Sequence, residues 1–361
     1  MEKFNQISGR GVYVDLIRTI AIVGVILLHA SGSWVITSQQ MNQMNPLETI
    51  SWSVVDIYQS LARIGVPLFI MLTGALLLQP AKENESLSVF FKKRWARIGL
   101  PWIFWGGAYF AWDFLVEHIP FTLGTIVQGI LDGPYSQFWY LYVLAGLYLL
   151  TPILRIFIAH ADQTIVKYFV ILWFLGVAIL PVFGLVTIYQ LNSNVFTITG
   201  YVGYFVLGTY LLTVQMRRST LSIFMILGIA LTAFGTYVLA ATVGGTEMYF
   251  FQQYFSPTLI FASIMVFLLI LTVQPPSAQK VTRPSAGNKL VKVISENTLP
   301  LFLFHVMILE SLQNGYFGFA INNSTINPII GAPLLTVVTL FISLGVIILL
   351  KKVPVLKRLI G

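Results

Sequence analysis

Arg18 and His29 interrupt the apolar run from Val12 to Val35, where a lipid-spanning segment tolerates few ionisable groups. On an α-helix, eleven residues turn through about 1,100° and rise about 16 Å, so the two side chains share one face at different depths. Charges inside a span are costly and usually face a protein interior or a wet path. An imidazole suits proton transfer near neutral pH, which makes His29 the candidate catalytic base and Arg18 its partner along the same path. The competing reading is structural: Asp15, three residues before Arg18, can pair with it, and His29 is then a buried, hydrogen-bonded histidine.

Other polar groups extend the pattern. Asp56 and Arg63 stand seven apart and precede Pro67 in the second apolar run. With Asp15 and Arg18 they form either a charge-balanced network between two helices or, through Arg63, a substrate contact. The run Phe90 to Trp102 contains Lys92, Lys93, Arg94 and Arg97. Arg94 and Arg97 present two planar forks on one face, a geometry that suits phosphates, and Lys93 adds a third cation. The same run also reads simply as a topogenic cluster. Asp113, with Trp112, Glu117 and His118, and Trp139, between Tyr135 and Tyr142, suggest either a sugar-binding vestibule or an aromatic belt. His305 falls near the middle of the ninth apolar run, as a core histidine or as part of the site.

These residues need a membrane scaffold. The 361 residues are 57% hydrophobic and only 9% charged, with a mean hydropathy of +0.83, outside the range of water-soluble domains. Spans of about 20 residues fit ten times: 12–35, 51–79, 98–117, 137–158, 167–188, 197–214, 220–243, 255–273, 296–314 and 329–350. The fold expected is an all-α polytopic bundle, one transmembrane domain over 1–361 with no appended soluble module. The first span reads as a retained anchor and not a cleaved leader. Lysines and arginines gather in alternate connections, from Lys3 and Arg10 to Lys357 and Arg358, which puts both termini in the cytoplasm of a multi-pass cell-membrane protein. The net charge of +8 is explained by these clusters, so no nucleic-acid partner is expected. With no cysteine, thiolate chemistry and disulfides are excluded, and no metal is expected. Gln274 to Lys289 is the one linker-like stretch, and the triplets at Asn322–Thr325 are too short to carry a reading.

In order along the chain, Asp15-Leu-Ile-Arg18 with His29, Val66 to Gly74, Arg94-Trp-Ala-Arg97 before Pro101, Phe138 to Leu144, Tyr204 to Gly208 and Phe304-His305 resemble the acyltransferase family 3 membrane enzymes. The family often has Ser-Gly where this chain has Thr73-Gly74. The resemblance implies transfer of an acyl group, most often acetyl, from acetyl-CoA to a carbohydrate hydroxyl. His29 would be the essential histidine, Arg18 its motif partner, and Arg94 and Arg97 the pair on the acyl-CoA side. Partners would be acyl-CoA, a glycan or lipid-linked sugar, and membrane lipid. His29 can serve as general base or as a transient acyl-histidine. A transporter or flippase of a glycan or lipid-linked intermediate is the alternative from another class, and a sensor without turnover is a third.

Overall fold

The computed structural model describes residues 11–361 apart from 33, 80–81, 83–84, 121, 187–199, 274–284 and 323–324. Lys3, Arg10, most of the linker from Gln274 and part of the Asn322–Thr325 loop lie outside them. In order the helices are α1 (Val12–Ser31), α2 (Ser38–Gln43), α3 (Pro46–Ala62), α4 (Gly65–Leu77), α5 (Leu87–Arg94) and α6 (Leu100–Leu115). They continue as α7 (Leu123–Asp132), α8 (Trp139–His160), α9 (Gln163–Phe174), α10 (Leu180–Val186), α11 (Val202–Leu211) and α12 (Arg218–Thr242). The last five are α13 (Pro257–Leu271), α14 (Ala286–Glu296), α15 (Thr298–Gln313), α16 (Pro328–Leu350) and α17 (Pro354–Leu359). Among the described residues there is no strand, only an isolated bridge between Thr37 and Gly244.

Among the described residues seven stretches are long and apolar enough to cross a bilayer, with an eighth if the bent pair α14–α15 is one span. The remaining expected spans correspond to shorter helices. Helix α6 has 16 residues and α11 has 10, and the chain just before α11 lies outside the described residues.

Proline chemistry explains where helices break. A proline ring clashes with the carbonyl four residues back and removes one hydrogen bond. Pro67 stands four residues after Arg63, where α3 gives way to α4. Pro101 stands four after Arg97, inside the π-helical turn Trp95–Gly99 that joins α5 to α6. Pro300 stands four after Glu296, the last residue of α14, and the chain bends there by 83° into α15. Backbone freed in this way is tolerated at membrane depth only where protein or water satisfies it. In α16 the partner is visible: Pro333 follows Ile329 by four, and the Ile329 carbonyl accepts the Tyr58 hydroxyl at 2.9 Å.

Helix α1 runs unbroken against these kinked elements. Ile17, Ala21, Ile22, Val25 and Ile26 are buried on one face. At its basic end, Ser295 donates to Asp15 at 2.6 Å and Thr19 donates to the Val291 carbonyl at 3.0 Å, tying α1 to α14. Helix α11 is buried from Gly203 to Thr209, so it forms the interior of the bundle rather than a lipid-facing wall.

Candidate functional site

A cavity of about 990 Å³ opens at the end of the bundle where lysines and arginines concentrate. Its wall carries seven cationic side chains: Arg18 from α1, Lys82, Arg94, Arg97, Lys292 from α14, and Lys357 and Arg358 from α17. Against these stand two carboxylates, Asp15 and Glu296. The floor is apolar and aromatic, with Phe69, Tyr140, Phe302 and Leu72. An enclosure with a cationic mouth and an apolar depth suits a ligand with anionic groups at one end and a neutral arm at the other. Arg94 is half-buried, with its guanidinium 5.4 Å from the Phe90 ring centre and 5.7 Å from that of Tyr148. Arg97, one π turn on, is exposed at the mouth.

The segment before Arg94 is fixed by a buried arginine. Arg155 is 4% exposed; it donates to the Leu77 carbonyl at 2.8 Å, to the Lys82 carbonyl at 3.2 Å and to Glu85 at 3.0 Å. Leu77 is the last residue of α4, so the first of these bonds satisfies a helix-terminal carbonyl. Lys82 does the same for Leu76 at 2.5 Å. Lys93 joins Glu85 at 2.7 Å and is not on the cavity wall, which separates it from Arg94 and Arg97. Burial, together with the cations of Arg155 and Arg94, pulls Lys82 below its ordinary value despite Glu85. Cations crowded against their own repulsion favour an incoming anion.

Glu85 gives this network a pH dependence. Its hydrogen bond from Lys93, then that from Arg155, holds the carboxyl below its ordinary 4.5, with burial opposing them. A depressed carboxylate contributes stability above the unfolded value, and this is lost as pH falls below 4.5 through the lower folded value. The melting temperature of the wild type will therefore fall between pH 5 and pH 3 more steeply than that of Glu85→Gln, by about 1–3 °C. Parallel curves would remove Glu85 from this role.

Beyond the floor of the cavity lies a pair of histidines. The His29 and His305 ring centres are 5.2 Å apart and their planes are inclined by 60°. His305 is fully buried, and its Nδ1 lies 3.1 Å from the Leu301 carbonyl and 2.9 Å from the Phe302 carbonyl. Carbonyls only accept, so Nδ1 carries the proton and Nε2 offers a lone pair. That Nε2 is buried with no hydrogen-bond partner among the described residues. Neither histidine lies on the cavity wall; Phe302, whose ring centre is 6.2 Å from that of His305, stands between.

Arg63 acts electrostatically on His29 from the break between α3 and α4. Its guanidinium lies 5.9 Å from the Tyr249 ring centre, and its Nε is buried without a hydrogen-bond partner among the described residues. Asp56 does not meet Arg63 in an ion pair. It accepts instead from Gln252 at 2.6 Å and from Ser60 at 3.5 Å. Trp139 packs against Tyr201 and Tyr254 at 5.8 and 5.7 Å, and Tyr254 also interacts with Arg63. Asp113 belongs to a separate group, where Tyr135 donates to Glu310 at 2.5 Å and Tyr316 to Glu117 at 3.3 Å; its Oδ1 is buried without a partner. Thus Arg18, Arg94 and Arg97 share the cavity, and His29, His305, Arg63 and Trp139 follow one another beyond its floor. Asp113 and Lys93 stand apart. Among the described residues no group of three or more His, Asp or Glu is gathered as a metal site requires.

Lys82, Lys292, Lys357 and Arg358 are the cavity residues that sequence reasoning took only as topogenic charges. The periodicity of short loops carries nothing that marks them otherwise.

The acyltransferase domain of acyltransferase family 3 matches residues 12–348, nearly the whole bundle. The chain belongs to acyltransferase family 3. Neither the curated proteins nor the solved structures provide a significant match to it. Family membership makes this a membrane acyltransferase.

Proposed function

We propose that this acyltransferase moves an acetyl group from acetyl-CoA to a hydroxyl of a glycan or lipid-linked sugar at the cell membrane. The observation that carries the reading is the alignment of the seven-cation cavity with the His29–His305 pair directly behind its floor. The excess of basic residues at the cavity end supports a cytoplasmic orientation for that end. The donor's phosphates then pair with Arg94 and Arg97 on one wall and with Lys357 and Arg358 on another. Its uncharged pantetheine arm follows the apolar depth toward the floor. The acceptor approaches from the opposite side, past Trp139 and Arg63, where an aromatic face and a fixed guanidinium suit a sugar ring and its hydroxyls.

The chemistry is a single exchange at the thioester carbon. The acceptor oxygen bonds to the carbonyl carbon, the C–S bond breaks, and the hydroxyl proton passes through His29 to the departing thiolate. Arg63 offers positive charge beside the developing oxyanion, a contribution of about 2–4 kcal/mol where such a donor is well placed. Arg18 lines the donor path rather than the reacting centre.

Native membranes supplied with acetyl-CoA labelled in its acetyl carbon should gain label that mild base releases. Arg94→Gln with Arg97→Gln, and separately Lys357→Gln with Arg358→Gln, should each raise KM for acetyl-CoA by about 10-fold or more, since each charge-assisted bond is worth about 1.5–3 kcal/mol. Use of acetyl-pantetheine, which has no phosphate, should not change. No base-labile label, or equal losses for the two thioesters, would contradict the reading.

A further inference from the structure

The cavity and the histidine pair are divided by one layer of three aromatic rings. Phe69, Tyr140 and Phe302 all line the cavity floor, and all are buried, at 7%, 5% and 3% exposure. Ring centres are 6.1 Å apart for Phe69 and Tyr140 and 5.0 Å for Tyr140 and Phe302. Rings at these separations leave no opening for a chain to pass. Phe302 alone of the three also neighbours a histidine, and its own carbonyl accepts from His305 Nδ1. It lies in the first turns of α15, two residues after Pro300 and just past the 83° bend. Behind it the space is closed: His305, Leu301 and Leu303 are fully buried.

We infer that the Phe302 ring is the element that fixes acyl length, by occupying the layer between the cavity and the histidine pair that the acyl end must cross to reach His29. This rests on the donor reading above. When the ring swings aside, the room it vacates holds a thioester carbonyl with a methyl group. Two further methylenes must displace the packed Phe69 and Tyr140 rings or the buried helix behind them. While the ring is in place, water in the cavity is kept from the histidines. A truncated residue 302 leaves a continuous channel and removes both restrictions. Water then competes with the acceptor: its oxygen bonds to the acyl carbon, the C–S bond breaks, and CoA leaves as the thiol with the proton.

The test compares acetyl-CoA with butyryl-CoA for the wild type, Phe302→Leu and Phe302→Ala, each purified in detergent. Transfer is read in acceptor-bearing native membranes, and thiol release is read without acceptor. Binding of CoA to each variant verifies the fold, and Phe302→Leu serves where the larger truncation fails to fold. The expected result is a strong wild-type preference for acetyl, of the roughly 10- to 200-fold size that a packed pocket imposes for small changes in chain length. That preference should fall at least tenfold in Phe302→Ala and in part in Phe302→Leu, with acceptor-free thiol release rising. An active wild type whose variants bind CoA yet keep the same acetyl-to-butyryl ratio overturns the role of Phe302 alone. A wild type that binds no CoA and transfers neither group overturns the donor reading, and the role of Phe302 with it.

Discussion

His29→Gln will lower acyl transfer by about 10²- to 10⁴-fold, the range a positioned base contributes, and will leave acetyl-CoA binding unchanged. The separation of the two effects follows from the geometry. The cations proposed to hold the donor line the cavity, and His29 does not. Glutamine keeps much of the volume, so the packing beside the His305 ring survives. What it cannot do is accept and return a proton. His305→Gln should cost less, because the His305 proton is committed to backbone carbonyls through Nδ1 and only the Nε2 lone pair faces its neighbours. Labelled-acetyl transfer and CoA binding, measured on the same preparations, check both statements. Full turnover in His29→Gln would place the chemistry elsewhere.

Gly208→Val or Gly74→Val will abolish recovery of folded protein. Helices α4 and α11 cross with their backbones in contact: a Cβ at Gly74 would overlap the Phe205 carbonyl, and a Cβ at Gly208 would overlap the Met71 carbonyl. Both obstacles are main chain, so no rotamer change relieves them and the helices must separate. Overpacking in a core typically costs about 1–3 kcal/mol even where side chains can shift. Here two central helices lose their closest approach, and in lipid such packing is the main force between helices. Fluorescence-detected size exclusion should show loss of the monodisperse peak for either valine variant, with Gly→Ala giving a smaller loss. A normal elution profile and melting temperature for Gly208→Val would contradict this packing.

That crossing explains why two otherwise plain stretches, Val66 to Gly74 and Tyr204 to Gly208, belong to the recognisable pattern of the chain. Most of their residues are apolar; what the two stretches share is the need to bring backbones together. The membrane class and the unbroken first helix were legible because hydropathy and spacing are local properties. Arg18 and His29 are where eleven residues of α-helix put them, one reaching the cavity and the other lying beyond its floor. The pairing of His29 with His305 was not legible, since nothing local links residues that far apart in sequence. The aromatic floor was equally hidden, because phenylalanine in an apolar span looks like any core residue. The Asp56–Arg63 contact that the charge-balanced reading needs does not form, because Asp56 is taken up by Gln252, a residue distant in sequence that no local spacing reveals. Likewise, Arg155 looked like a loop charge but is buried as a cap on α4, a role set by tertiary contact alone.

The central claim is that one ligand links the cationic cavity to His29. The most direct measurement is a cryo-electron-microscopy structure with the ketone analogue of acetyl-CoA, in which a methylene replaces the reactive sulfur. The phosphates should be held among Arg94, Arg97, Lys357 and Arg358, with the ketone carbonyl beside the His29 ring. Phosphates bound outside that cavity, or a carbonyl walled off from His29 by packed side chains, would contradict it.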